Sequence, residues 1–90
     1  MARTAIHCII HGKVQGVWYR AWTQQTAASK SLDGWVRNLP DGTVEAVFAG
    51  EETAVADMLE ACRKGPPLSR VTGIDQEPAE DPGTAGFEVR

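Results

Sequence analysis

The chain has 90 residues and a formal net charge of −3, with 42% hydrophobic and 23% charged residues. This length supports one small domain with a single hydrophobic core, and the acidic balance argues against a general nucleic-acid-binding protein, which needs a basic surface. Two cysteines do not make a disulfide scaffold, and the sequence contains neither a signal peptide nor a membrane span of roughly 18 apolar residues. We therefore expect one domain over residues 1–90, a cytoplasmic monomer without nucleic-acid or membrane partners.

The first two predicted elements are a strand and a helix. Residues 4–10 alternate as in a strand, with Ile6, Cys8 and Ile10 on the face better suited to a core. From about residue 19 to 30 the chain has neither glycine nor proline, and three alanines suit a helix. The apolar stripe of this second segment is weak, so its helix is predicted mainly from context.

Two strands joined in a hairpin are predicted next. Asp33-Gly34 is interpreted as a break after the helix. The runs Gly34–Leu39 and Thr43–Ala49 have strand-like composition, and Pro40-Asp41-Gly42 between them is a hairpin signal. In the second run, one predicted core face consists of Val44, Ala46 and Phe48.

A second helix is predicted from about residue 52 to 64. Glutamates at its start suit the positive end of the helix dipole, and Gly65-Pro66-Pro67 ends it. Its core face is a stripe at i, i+3, i+4 and i+7, formed by Val55, Met58, Leu59 and Cys62.

The last quarter of the chain is predicted to contain a strand over 69–76, an acidic loop over 77–85 and a short strand over 86–90. The order strand, helix, strand, strand, helix, strand is the split β-α-β pattern. We therefore predict an α+β fold, a ferredoxin-like βαββαβ sandwich with two helices on one face of a mainly antiparallel sheet. Because this fold hosts many unrelated functions, the function must be argued from the site.

Most of the candidate chemistry in the sequence fails a test of spacing or geometry. His7 and His11 are four residues apart on a strand, so their Cα atoms lie about 13 Å apart and they cannot share a metal unaided. Cys8 and Cys62 fall on core faces and are predicted to be buried packing thiols. Neither a Walker loop nor a Gly-x-Ser-x-Gly elbow occurs. The carboxylates at the helix start and in the acidic loop are predicted to be solvated charge.

The remaining candidates are the stretch Gly12–Arg20 and Asn38. A glycine-bracketed turn that feeds a helix leaves amide N–H groups unpaired, and together with the helix dipole they favour phosphate. Arg20, at the end of the stretch, can reach over the same cavity. Asn38 is explained either as a turn residue or as a strand residue with a polar task. The residues alone leave open whether the turn binds a ligand, takes part in catalysis or only redirects the chain.

Two stretches of the sequence resemble the acylphosphatase family. Gly12-Lys13-Val14-Gln15-Gly16-Val17-Trp18-Tyr19-Arg20 is similar to the family's loop motif, Gly-x-Val-Gln-Gly-Val-x-Phe/Met-Arg. Gly34-Trp35-Val36-Arg37-Asn38, followed by Gly42-Thr43-Val44 and then Gly50, is similar to its second motif. The one departure is Tyr19, where the family usually has Phe or Met. Its added hydroxyl is expected to find a partner at the pocket edge, with little effect on activity.

The resemblance implies hydrolysis of acyl phosphates to a carboxylate and inorganic phosphate, without a metal or another cofactor. By the family's pattern, Asn38 orients the attacking water, and Arg20 holds the phosphoryl group together with loop amides from Gln15, Gly16, Val17, Trp18 and Tyr19. The Gln15 side chain is expected to serve only the structure of the loop. The chemistry agrees with this pattern, because a carboxylate leaving group is a weak base and needs no strong general acid, and phosphoryl transfer depends mostly on positioning and charge stabilisation.

Other functions remain open at the level of sequence. A non-catalytic ferredoxin-like module would keep the loop as a phosphate- or anion-binding regulatory site and would hydrolyse nothing. An acylphosphatase-like domain also begins larger carbamoyl-transferring enzymes, although a 90-residue chain favours a stand-alone protein. An RNA-binding module on the same fold is disfavoured by the absence of its aromatic sheet motif and by the net charge.

Overall fold

The computed structural model describes residues 2–90, so Met1 of the predicted domain lies outside the described residues. Within that range the chain order is β1 (Arg3–Lys13), α1 (Tyr19–Ser29), β2 (Asp33–Asn38), β3 (Val44–Glu51), α2 (Glu52–Lys64), β4 (Arg70–Pro78) and β5 (Phe87–Val89). The strands form one sheet in the order β4-β1-β3-β2-β5. The pair β2 and β5 is parallel and the other neighbouring pairs are antiparallel. The predicted α+β, ferredoxin-like fold is confirmed.

Strand β3 and helix α2 contribute the core faces that their sequence patterns predict. Val44, Ala46 and Phe48 are fully buried on β3, and β3 lies at the centre of the sheet between β1 and β2. On α2 the buried residues are Val55, Met58 and Cys62, with Leu59 partly buried against them. Because both faces follow simple periodicities, the residues that fill this core can be read from the sequence.

Both cysteines pack in this core as free thiols. Cys8 of β1 and Cys62 of α2 are fully buried and form no disulfide. Burial raises the pKa of Cys62 to about 12 and also raises the pKa of Cys8. Both thiols therefore stay protonated, and the prediction of packing thiols is confirmed.

Helix α1 has a buried stripe that includes a polar residue. Its buried positions are Tyr19, Thr23 and Ala27, spaced at i, i+4 and i+8. The Thr23 hydroxyl donates a hydrogen bond to the Tyr19 carbonyl oxygen at 2.7 Å, which satisfies it inside the core. A hydroxyl and a methyl group in the stripe explain why the amphipathic signal of this helix is weak.

Asp33 and Gly34 begin β2, so the strand predicted from Gly34 is confirmed, and the break after α1 lies just before them, at residues 30–32. Gly34 has φ +135°, and a Cβ built there would lie 1.9 Å from the carbonyl oxygen of Val47 on β3. Glycine is needed at this position for the close approach of two strands. The left-handed residue between α1 and β2 is instead Ser31, with φ 58°.

The predicted hairpin at Pro40-Asp41-Gly42 is confirmed, and it determines where β2 ends. The Leu39 N–H donates to the Thr43 carbonyl at 2.9 Å, and the Asp41 carboxylate accepts hydrogen bonds from the N–H and hydroxyl of Thr43. Strands β1 and β2 flank β3 and both run antiparallel to it. The carboxyl ends of β1 and β2 therefore lie at the same end of the sheet.

At the opposite end of the sheet, ion pairs fasten the acidic loop. Residues 79–86 connect β4 and β5, which lie at opposite edges of the sheet. The Arg3 guanidinium contacts Asp81 of this loop and donates to Asp33 of β2 at 2.9 Å. Asp33 also accepts a hydrogen bond from the Gly86 N–H at 2.8 Å. Asp81, predicted to be solvated charge, is exposed but ion-paired, and the loop is held where it can deliver β5 beside β2.

Candidate active site

A cleft of about 230 Å³ opens at the end of the sheet where β1 and β2 finish. Its walls come from the loop between β1 and α1, the first turn of α1, the end of β2 and Val89 of β5. Of the residues predicted for the site, the cleft is lined by Gln15, Gly16, Trp18, Tyr19, Arg20 and Asn38. The side chain of Val17 does not line it, because it is buried in the core beneath the loop.

The loop presents a cluster of backbone donors. Gly16 has φ 73° and Trp18 has φ 68°, with a negative φ at Val17 between them. Such alternation turns successive N–H groups towards one side, which makes an anion-binding concavity. None of the N–H groups from residue 16 to residue 21 donates to another of the described residues, and no side chain caps the start of α1. Free donors at the positive end of a helix are a site for phosphate.

The left-handed conformation of Trp18 is not predicted by the sequence motif. A side chain at positive φ costs about 1–2 kcal/mol relative to the right-handed region, and such strain tends to be kept at functional sites. Gly12 differs from its predicted place in the connection, because it lies within β1 at a bulge. There it has φ +121°, and a Cβ would approach the Arg70 carbonyl oxygen to 2.0 Å.

Gln15 fastens the loop to the hairpin. Its amide nitrogen donates to the carbonyl oxygens of Leu39 and Thr43, both at 2.8 Å. These acceptors bracket the hairpin that follows Asn38. The side chain therefore sets the separation between the loop and Asn38, which agrees with the expectation that it serves loop structure.

Arg20 lies in the first turn of α1 and is held from β5. Its guanidinium donates to the Arg90 carbonyl oxygen at 3.1 Å, and the Arg90 N–H in turn donates to the Val36 carbonyl of β2 at 2.8 Å. A guanidinium has five N–H donors. Among the described residues, the Arg90 carbonyl accepts from one of those of Arg20. The others are available to an anion in the cleft.

Asn38 is the last residue of β2 and pairs with Val44 of β3. Its Oδ1 is buried and has no hydrogen-bond partner among the described residues. Leaving a buried acceptor unpaired costs about 1–3 kcal/mol, so such atoms are rare and call for an explanation. An acceptor in this position is suited to a water molecule or a ligand that donates to it from the cleft.

Tyr19 is among the residues that line the cleft, but its side chain is buried in the core. The hydroxyl donates to the Cys62 carbonyl oxygen of α2 at 2.7 Å. The expectation of a partner at the pocket edge is therefore wrong. Burial raises the pKa of Tyr19 above its ordinary value. The phenol thus links α1 to α2 and does not serve as an acid or a base in the cleft.

The histidines lie on another part of the sheet. His7 contacts Glu45 at 2.8 Å and Glu77 at 3.4 Å, whereas His11 contacts Asp75 at 2.8 Å, so the two rings share no carboxylate partner. Residues 2–90 contain no cluster of three His, Cys, Asp or Glu side chains placed to hold a metal ion. Over the same range, neither helix combines the length and the apolar character needed to cross a bilayer.

Comparison with known proteins places these features in a family. The family model described as Acylphosphatase matches residues 6–89. An acylphosphatase from Rhodospirillum rubrum is 58% identical over 81 residues, which cover 90% of this chain and 89% of that protein. An acylphosphatase from Haloarcula marismortui is 47% identical over 90 residues, or 100% of this chain and 99% of that one.

A solved structure gives the same result in three dimensions. The structure of an acylphosphatase from Coxiella burnetii superimposes with a TM-score of 0.94 at 36% identity, and the match covers 98% of this chain and 93% of that one. The family model, the sequence relatives and the solved structure agree on the family that the two sequence motifs resemble. The chain therefore belongs to the acylphosphatase family.

Proposed function

We propose that this acylphosphatase, which hydrolyses acyl phosphates to a carboxylate and inorganic phosphate, carries out the reaction in the cleft between the β1–α1 loop and Asn38. The observation that supports this placement is the pairing of free donors on one wall with a free acceptor on another. The loop amides have no acceptor among the described residues, and the buried Asn38 Oδ1 has no donor. An acyl phosphate and a water molecule supply both.

The phosphoryl group is held by the N–H groups of residues 16–20 and by the Arg20 guanidinium. A hydrogen bond to a charged group contributes about 1.5–3 kcal/mol, so several of them account for tight binding. The donors are fixed before substrate arrives, because Gln15 anchors the loop and the Arg90 carbonyl orients Arg20. Donors that need no reorganisation stabilise the charge that develops in the transition state.

The attacking water donates one hydrogen bond to Asn38 Oδ1. This contact orients the water so that a lone pair of its oxygen points at phosphorus. The new bond joins the water oxygen to phosphorus, and the bond that breaks joins phosphorus to the acyl oxygen. The carboxylate leaves with the electron pair of that bond, and the proton of the water passes to a phosphoryl oxygen of the substrate. No side-chain acid or base takes part in this scheme, and neither does a metal ion.

We also propose where the enzyme acts and in which oligomeric state. The enzyme acts as a cytoplasmic monomer on a small-molecule acyl phosphate, without a nucleic-acid partner. A net charge of −3 supports the last point, since it disfavours a polyanionic partner. Sedimentation equilibrium with and without inorganic phosphate tests the monomer, and a species of twice the chain mass would contradict it.

The decisive experiment is the hydrolysis of benzoyl phosphate, with benzoate and phosphate both measured, in the presence and absence of a metal chelator. We expect the two products in equal amounts and a rate that the chelator does not change. The Asn38→Ala variant at equal concentration is the inactive control. Phosphate binding without hydrolysis would point to the regulatory module, and activity lost on chelation would contradict the metal-free scheme.

A further inference from the structure

Large apolar side chains are exposed at the rim of the cleft. Among the described residues, three such side chains are substantially exposed: Trp18 at 59%, Val89 at 41% and Leu68 at 74%. Trp18 and Val89 both line the cleft, whereas Leu68 lies in the connection between α2 and β4 and does not. A pocket whose interior offers hydrogen-bond donors thus has apolar groups at its mouth.

The backbone explains why Trp18 stands outside the core. Its neighbour Tyr19 is buried, with its hydroxyl bound to the Cys62 carbonyl. Trp18 has φ 68° and its indole remains mostly in solvent, so burial of the ring does not offset the strain. The conformation serves the loop amides, and it leaves the indole beside the ligand that those amides bind.

Val89 reaches the same mouth from β5. Successive side chains of a strand point to opposite sides, so Glu88 faces away from Val89. The Arg90 Nε lies 3.3 Å from the Glu88 carboxylate and follows it to that side. The Arg90 guanidinium lies over the Trp35 ring, 4.9 Å from its centroid, and Arg37 lies 5.2 Å from the same ring. Both cations are directed to Trp35, so of the charged side chains of the described residues it is the Arg20 guanidinium that lines the cleft with Val89.

We propose that Trp18 and Val89 form the acyl-binding rim and select acyl phosphates whose acyl group is aromatic or bulky and apolar. This inference rests on the proposed function, because it needs the phosphoryl group to lie on the loop amides. With that end fixed, the acyl group projects towards the mouth of the cleft. An apolar acyl group there covers Trp18, which is otherwise a large exposed apolar side chain.

The acyl-binding rim is expected to affect substrate binding more than the chemical step. The acyl group contacts the rim in the substrate and in the transition state alike, and such uniform binding lowers KM without raising kcat. Aromatic contacts of this kind are equivalent to about a three- to tenfold change in affinity. A small acyl group such as acetyl is expected to gain less from the rim.

The test compares kcat and KM for benzoyl phosphate and acetyl phosphate in wild type, Trp18→Ala and Trp18→Phe. We expect Trp18→Ala to raise the ratio of KM for benzoyl phosphate to KM for acetyl phosphate about three- to tenfold, with the loss concentrated in KM for benzoyl phosphate. Trp18→Phe should restore most of the difference. Leu68→Ala is the matched control, since it removes an exposed apolar side chain away from the cleft. An equal loss for both substrates in Trp18→Ala, or no loss for either, would overturn the proposal.

A second measurement separates this inference from the catalytic one. Benzylphosphonate and methylphosphonate cannot be hydrolysed, so their affinities, measured by calorimetry, report binding alone. We expect wild type to prefer benzylphosphonate and Trp18→Ala to lose that preference, whether or not the enzyme turns over. Hydrolysis without such a preference would refute the rim and leave the proposed function standing. Preference without hydrolysis would refute the function and retain the rim.

Discussion

The two ends of the sheet differ in whether their polar and charged groups have hydrogen-bond or ion-pair partners. At the cleft, the N–H groups of residues 16–21 and the Asn38 Oδ1 have no partner among the described residues. At the other end, Arg3 binds both Asp33 and Asp81, and Asp33 also binds the Gly86 N–H. Strands β1 and β2 supply residues to both ends, so their local composition does not explain the contrast. The unpaired groups at the first end lie where we propose that the ligand binds. The charged groups at the other end are paired and hold a loop, although the buried Thr84 Oγ1 of that loop has no partner among the described residues.

Arg20→Gln should have the largest effect, because it removes a charge from the end with unpaired donors. We expect turnover to fall by about a thousandfold or more and inhibition by inorganic phosphate to weaken. Steady-state kinetics on benzoyl phosphate with phosphate as competitor measures both quantities. Arg63→Gln, an exposed arginine of α2, is the matched control and should change neither. Unaltered phosphate inhibition in Arg20→Gln would contradict a direct contact.

Asn38→Ala should separate catalysis from binding within the same cleft. Loss of the acceptor for the attacking water is expected to lower kcat by about a hundred- to a thousandfold, while inhibition by inorganic phosphate stays close to wild type. Single-turnover kinetics and phosphate calorimetry measure the two effects. Near-normal turnover in this variant would show that Asn38 does not orient the water.

Gln15→Ala tests whether the loop and the hairpin must be held at a set distance. Two hydrogen bonds to Leu39 and Thr43 are lost, and small misplacements of this kind can cost up to about a hundredfold in rate. We expect kcat to fall by about tenfold or more and phosphate binding to weaken less. Gln24→Ala, whose amide contacts the Phe87 carbonyl outside the cleft, is the control. Equal kinetics for the two variants would argue against a positioning role.

Tyr19→Phe should affect stability and leave the cleft working. The Tyr19 hydroxyl binds a buried carbonyl of α2 and is directed away from the cleft. Loss of that hydrogen bond should lower the free energy of unfolding by about 1 kcal/mol, with kcat/KM within about twofold of wild type. Urea unfolding and benzoyl phosphate hydrolysis test the two parts. A large loss of activity would mean that the hydroxyl takes part in the reaction.

Arg3→Met should give the smallest effect, confined to the end with paired charges. The Arg3 guanidinium lowers the pKa of Asp33 and of Asp81 below their usual values. A carboxyl with a lowered folded-state pKa stabilises the protein above its unfolded pKa of about 3.9, and this contribution is lost as pH falls through the folded pKa. The variant should therefore be slightly less stable than wild type at neutral pH and equal to it in strong acid.

Urea midpoints measured from neutral pH down to about pH 2 test this acid dependence. Arg63→Met removes an arginine from the exposed Glu60–Arg63 pair of α2 and is the control. It should leave the pH dependence of stability unchanged. A constant difference between Arg3→Met and wild type across the whole range would show that the two aspartates are not linked to Arg3.

Much of the fold is predictable because its signals are local. Alternation in β1, the stripe of α2 and the turn at Pro40-Asp41-Gly42 each depend on residues within a few positions of one another. The exact start of β2 at Asp33-Gly34 depends instead on a contact that is distant in sequence. Glycine is required at position 34 because the Val47 carbonyl of the neighbouring strand β3 lies too close for a side chain. Composition alone cannot distinguish a glycine needed for such a close contact from a glycine needed for a turn.

For the site, the sequence by itself determined the family and the candidate residues, because the loop motif and the Asn38 motif are contiguous patterns. The tertiary structure decided how these residues are held. Gln15 bonds to Leu39 and Thr43, Arg20 bonds to Arg90, and Tyr19 bonds to Cys62. These partners lie 24 to 70 positions apart, so only strand register and helix packing bring them together. The left-handed conformation of Trp18 was also decided by the tertiary structure, because tryptophan disfavours it and the surrounding fold must hold it.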